Sequence, residues 1–259
     1  MKSPLDVLDA YDEAFRDLIN AKVWSSRRTI RELLRLNKER DWGFLCSSMD
    51  IIGDASAAIR HFLQFGLNGP TRYEDIGEAY LRLYGLLSAA YIQQQAVLKI
   101  FELMNVPNPR NFRQELDGLE IRDLRHRLAS HGMDYVNRAT QSTETYVPIR
   151  IGVGGYGCTY TNNETSERRT VNLEDALKTH CELLSKTMDT IYEKAIRTLY
   201  KGQTEKLQEA EERLQDLRTA RDGGLFIRFP KGGKLVIHTA APRNLTSRST
   251  RTRPGRRSG

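Results

Sequence analysis

Through the first two-thirds of this chain, apolar residues recur at steps of three and four. That spacing lines one face of a helix and leaves little room for strands. Residues 4–22 place Leu5, Leu8, Ala14, Phe15 and Leu18 on one stripe, and a second segment at about 26–36 carries Ile30, Leu33 and Leu34. A third segment starts near Asp41, a good N-cap residue, and carries Trp42, Leu45, Met49, Ile52, Ile59 and Phe62 up to the breaker Asn68-Gly69-Pro70. Thr71 and Glu74 then spell a capping box, which opens a helix predicted to run to Met104. Its stripe is Ile76, Tyr80, Leu83, Leu87, Tyr91, Leu98 and Phe101, with one polar member, Gln94. A fifth helix is predicted over 111–131 and a long one over 173–218, bent at Lys201-Gly202.

Two regions break the helical period. Residues 146–171 hold short β-like runs between Gly and Asn clusters, and LFIRF-PKGG-KLVIHT reads as a hairpin at 223–240. The expected fold is therefore mainly α: a helical domain over 1–222 with a small β insert at 146–171, then the C-terminal β-hairpin. Residues 241–259 are Ser, Thr, Arg, Pro and Gly with almost nothing apolar, and disorder is expected there.

Composition narrows the class. With 39% hydrophobic and 28% charged residues the chain can build a core. The longest apolar run, Leu83 to Ile92, stops well short of the roughly 18 residues a membrane span needs. The N-terminus is amphipathic and acidic, unlike a signal peptide, and the three cysteines (Cys46, Cys158, Cys181) share no CxxC spacing. A cytoplasmic protein with no membrane partner is expected. The net charge of +7 is uneven: residues 221–259 carry ten Lys or Arg against one acid, so the rest is slightly acidic. Such a tail attracts polyanions, or is simply a solvated extension.

Most chemical signals fail their own tests. Gly152, Gly154 and Gly157 spell G-x-G-x-x-G, but no helix period follows to hold a pyrophosphate, so a glycine-rich hairpin turn is the better reading. His61 and His180 read as surface or core residues of helices, and His238 falls in the hairpin. Asp50 and Asp54 lie one turn apart but read as a solvated face, so no metal and no cofactor is expected. Gln94 reads first as a satisfied buried amide, and otherwise as a group aimed at the cluster described next.

That cluster is IRDLRHRLASHG, residues 121–132, with Arg122, Arg125, His126, Arg127 and His131. Imidazole can take a proton from a 2′-hydroxyl or give one to a leaving oxygen, and guanidinium can neutralise a phosphate in the transition state. Such a set suits metal-free phosphodiester cleavage. Spacing alone fits more simply a basic helix end whose side chains satisfy its last carbonyls. Arg125 also sits about 240° round an ideal helix from His131, so the two meet only if the helix end kinks or a second chain supplies the partner.

The run RHRLASH resembles the R-x4–6-H signature of the HEPN superfamily, with Arg125, His126 and His131 at the matching positions. The preceding stretch LRLYGLLSAAYIQQQAVLKIFELM, residues 81–104, is similar to helices of bacterial HEPN-like proteins. The resemblance covers about residues 26–200 and implies an antiparallel helical bundle. It implies a homodimeric, metal-independent endoribonuclease, a toxin or phage-defence effector with an antitoxin or defence-system partner. Arg125 would then stabilise the scissile phosphate, His131 act as general acid or base and His126 orient the phosphate, with Arg127 and Arg122 binding RNA. The family more often has Asn where His126 stands, which leaves that role open. Some HEPN domains are silent binding or regulatory modules, and a helical assembly protein using 173–218 is a third reading.

Overall fold

The computed structural model describes residues 2–24, 28–70, 75–137, 140–228 and 234–238 of the 259. Among them the protein is mainly helical with small antiparallel sheets. The principal helices are α1 (Pro4–Val23), α2 (Ile30–Leu34), α3 (Asp41–Phe65), α4 (Ile76–Leu103), α5 (Pro109–Asp117), α6 (Glu120–Arg125), α7 (Leu173–Leu199) and α8 (Thr204–Arg221). The first is set by its ends: Pro4 needs no amide partner, and Ser3 and Asp6 cap each other's backbone N–H. Its stripe, Leu5, Leu8, Tyr11, Phe15 and Leu18, is buried.

Named contacts fix the directions of the helices. α3 runs antiparallel to α4: Gly66 meets Arg82, Ile52 meets Gln93 and Phe44 meets Lys99. α1 is antiparallel to α3, with Arg60 on Asp6 and Asp9 and Arg16 on Asp50. α7 lies parallel to both α1 and α4. Tyr11 hydroxyl donates to Asp189 and Lys22 ammonium to the Leu199 carbonyl, while Gln94 meets His180. α8 returns antiparallel, locked by Arg218, whose guanidinium grips Asp189 through Nε and Nη2 at 2.8 Å each and Glu193 at 2.6 Å. Parallel neighbours need a crossover, and residues 104–172 provide it between α4 and α7.

That crossover carries α5, α6 and the larger sheet. Strands β3 (Tyr146–Gly154), β4 (Gly157–Asn162) and β5 (Arg168–Asn172) form an antiparallel meander, preceded by a short pair, β1 (Tyr135–Val136) and β2 (Thr143–Glu144). Tyr146, Val153, Cys158, Tyr160 and Val171 join the helical core. β6 (Gly224–Arg228) and β7 (Lys234–His238) pair as the C-terminal hairpin.

Three boundaries differ from the sequence expectation. The helix expected over 111–131 breaks at Gly118 into α5 and α6, because the Gly118 N–H closes the first helix and Leu119 turns extended. The long C-terminal helix breaks at Gly202, in the left-handed region at φ 81°, and the chain folds back. α4 is capped by Asp75, whose side chain accepts from the Gly77 N–H at 2.7 Å; the Thr71–Glu74 box lies outside the described residues, as does the 241–259 tail.

The glycine motif is a hairpin turn, and it has a docking role. The β3–β4 turn meets the end of α3: the Gly155 carbonyl accepts from the Leu67 N–H and the Gly155 N–H donates to Asn68, both at 2.7 Å. Tyr156 hydroxyl donates to the Leu63 carbonyl at 2.8 Å. Gly66 sits at φ 62°, ψ −160°, a region reserved for glycine, and a Cβ there would lie 2.6 Å from the Gly155 oxygen. Gly66→Ala is therefore expected to destabilise the protein by about 2–4 kcal/mol in urea unfolding. A change below about 0.5 kcal/mol would contradict this close approach.

Candidate active site

The cluster of Arg and His residues sits where α6 ends. The helix does not continue in α form: residues His126–Ser130 widen into a π-helical turn, in which the His131 N–H donates to the His126 carbonyl five residues back at 2.8 Å. In an α-helix two residues five apart point in different directions. The wider turn brings His131 over His126 instead, with ring centroids 6.2 Å apart and planes 28° from parallel. The helix end thus departs from α geometry, as the spacing required for any meeting, but the residue it brings to His131 is His126.

Tyr91 of α4 organises the other side. The Arg125 guanidinium lies over its ring at 3.9 Å and that of Arg122 at 5.0 Å, while His126 meets it edge-on at 6.0 Å. Arg125 Nε is buried and, among the described residues, makes no hydrogen bond. Arg122 is held from two further sides: its Nε forms an ion pair with Asp117 at 3.0 Å, without hydrogen-bond geometry, and its Nη1 donates to Gln94 Oε1 at 2.9 Å. Arg127 leaves on a different course. It pairs with Asp123 at 2.7 Å and packs over Tyr135 and Tyr146, against the sheet.

His126 and His131 line a cleft of about 640 Å³ with Asp117, Asp123, Asp134 and Tyr135. The two imidazoles differ in their surroundings. Burial lowers the His126 pKa below the ordinary 6.5, and the positive charges of Arg122 and Arg125 and the neighbouring His131 lower it further, against the opposing pull of Asp123. At neutral pH His126 is an uncharged base. His131 is half exposed and its Nδ1 lies 3.2 Å from the Asp134 carboxylate. That contact engages Nδ1 and leaves Nε2 as the nitrogen available for chemistry.

The structure thus gathers Arg122, Arg125 and His126 around Tyr91 and sets His126 and His131 on the cleft, whose lining includes neither arginine, while Arg127 stands apart against the tyrosines of the sheet. It adds Tyr91, Asp117, Asp123 and Asp134, which sequence reasoning left out of the site. Tyr91 was hidden in a stripe of core residues. Among the other histidines, His61 is exposed beside Phe65 and Arg82. Asp50 pairs with Arg16, and among the described residues no cluster could hold a metal ion.

Gln94 is both a satisfied buried amide and a neighbour of the cluster. Its Nε2 donates to His180 Nδ1 at 3.2 Å, and His180 Nε2 donates to Gln93 Oε1 at 2.8 Å. His180 is fully buried, which pushes its pKa down to about 3. No protein-family model, curated protein or solved structure matches this chain.

The His180 environment has a pH signature. Below pH 6.5 the unfolded chain takes up a proton on His180 that the folded protein refuses, so its contribution to stability is complete above 6.5 and is lost as pH falls toward 3. Between pH 7 and pH 5 this group accounts for a loss of about 2 kcal/mol. Urea unfolding at the two pH values measures it: His180→Leu, though less stable throughout, is expected to lose about 2 kcal/mol less than wild type. Equal losses would contradict a neutral His180.

Proposed function

We propose that this protein is a metal-independent endoribonuclease of the HEPN type, built on a HEPN-like helical bundle. The observation that carries the reading is the pair of stacked imidazoles on one cleft wall, one neutral and the other held by a carboxylate. Two histidines in contrasting environments suit a reaction that needs a base and an acid at once. His126 takes the proton of an RNA 2′-hydroxyl, the 2′-oxygen bonds to phosphorus, and the P–O5′ bond breaks. His131 Nε2 gives a proton to the departing 5′-oxygen. The products are a 2′,3′-cyclic phosphate and a 5′-hydroxyl. Arg125, stacked on Tyr91 beside His126, neutralises the charge that builds on the phosphate.

Within one chain, Arg122 and Arg127 are already matched by Asp117 and Asp123, and the cleft holds three aspartates. A second copy in a homodimer would supply further cationic groups to an RNA backbone, and the toxin or phage-defence role, with its antitoxin, rests on the resemblance alone. The same internal pairing of the arginines favours the second reading, a silent binding or regulatory module.

The test is cleavage of labelled single-stranded RNA in excess EDTA. Wild type is expected to leave cyclic phosphate ends, and His131→Ala and Arg125→Ala each to lower the rate about 10²–10⁴-fold. Cleavage that EDTA abolishes, or that survives both substitutions, contradicts the assignment. RNA binding without cleavage selects the silent module.

A further inference from the structure

The chain of side-chain hydrogen bonds that begins at Arg122 crosses the whole core. Arg122 Nη1 donates to Gln94 Oε1 (2.9 Å), Gln94 Nε2 to His180 Nδ1 (3.2 Å), and His180 Nε2 to Gln93 Oε1 (2.8 Å). Gln93 Nε2 then donates to Ser56 Oγ (3.0 Å) and to the Ile52 carbonyl (3.2 Å). Gln93, Gln94 and His180 have no exposed surface, and Ser56 is buried. Four elements are tied together: α6, α4, α7 and α3.

The chain has one direction, and its two ends, a guanidinium and a backbone carbonyl, set it. A guanidinium has only donors, so Gln94 must turn its oxygen to Arg122 and its nitrogen to His180. His180 Nδ1 must then be bare and Nε2 protonated, and Gln93 must turn its oxygen to the ring. The Ile52 carbonyl at the other end, which can only accept, asks the same of Gln93, so the two ends agree on every amide orientation and on the histidine tautomer. Apolar residues of similar volume would fill this space without the penalty of burying two amides and an imidazole. What they could not do is hold a guanidinium at the α6 end of the chain.

We propose that Gln94 and His180 are positioning residues of the cleft: through the directed hydrogen-bond chain they hold the Arg122 guanidinium against Tyr91 and Asp117, and so fix the charge that faces His126. Neither residue touches the cleft. Both act through Arg122, whose other anchors are the Asp117 carboxylate and the Tyr91 ring. The inference rests on the reading of the cleft as the functional site, but its test does not need RNA.

The experiment is an NMR titration of the full chain with 15N-labelled imidazoles. In wild type, His180 is expected to carry its proton on Nε2 and not to titrate between pH 5 and 8. In Gln94→Leu, Arg122 loses its inner anchor and its charge leaves His126, so the His126 midpoint is expected to rise by about half a unit. Ser56→Ala, at the far end where Gln93 keeps the Ile52 carbonyl, should leave that midpoint in place. Gln94→Glu keeps an acceptor for Arg122 but removes the donor facing His180, so a proton should appear on His180 Nδ1. A His126 midpoint unmoved in folded Gln94→Leu would overturn the proposal. So would a wild-type His180 protonated on Nδ1, or a His180 indifferent to Gln94→Glu. RNA cleavage assayed on the same samples separates the two ideas: a shifted His126 in a protein that cleaves no RNA sinks the nuclease reading and leaves the positioning role standing.

Discussion

α4 and α7 lie side by side and point the same way, and this constraint shapes the rest of the molecule. Two parallel helices cannot be joined by a short turn, so the chain must travel back over 104–172 before α7 can start. The return path breaks at Gly118, passes through α6 and its π-turn, and completes the meander that docks on the end of α3. The groups with catalytic potential lie on this return path or on the face of α4 that it crosses. The rest of the bundle, locked by the Arg218–Asp189–Tyr11 and Arg60–Asp6–Asp9 contacts, is a rigid base for it.

The cleft is organised by competition for a few cations. Tyr91 offers its ring to Arg122 and Arg125, and Asp117 and Asp123 take Arg122 and Arg127. His126 is left beside two positive charges and partly away from water, so it stays neutral. His131, brought into register by one wide helical turn, faces Asp134 instead. Two chemically identical side chains thereby acquire different environments without a metal, and the backbone widening that pairs them costs a single irregular turn.

Much of the frame was legible in the sequence because apolar spacing and breakers act locally. The stripe from Leu5 to Leu18 and the glycine turn at 152–157 needed no tertiary knowledge, and the breaker at Asn68-Gly69-Pro70 marked the end of α3 to within a few residues of Phe65. The π-turn did not show, because nothing in HRLAS distinguishes it from an α-helix. Tyr91 itself was masked by its place in an apolar stripe, where an aromatic reads as core. Gln94 showed as a polar interruption of that stripe, but its partner His180 lies 86 residues away on another helix, a pairing that spacing along the chain cannot reveal. The pair β1–β2 is two residues long on each side and leaves no period to read.

The central claim is that His126 and His131 act in one reaction as base and acid. The pH dependence of RNA cleavage tests it most directly. The account gives a wild-type rate that falls as pH drops and His126 takes up a proton, a fall displaced below the ordinary histidine range. His126→Ala loses that fall, and His131→Ala keeps it at a rate about 10²–10⁴-fold lower. A fall that survives His126→Ala, or a rate indifferent to His131→Ala, would contradict it.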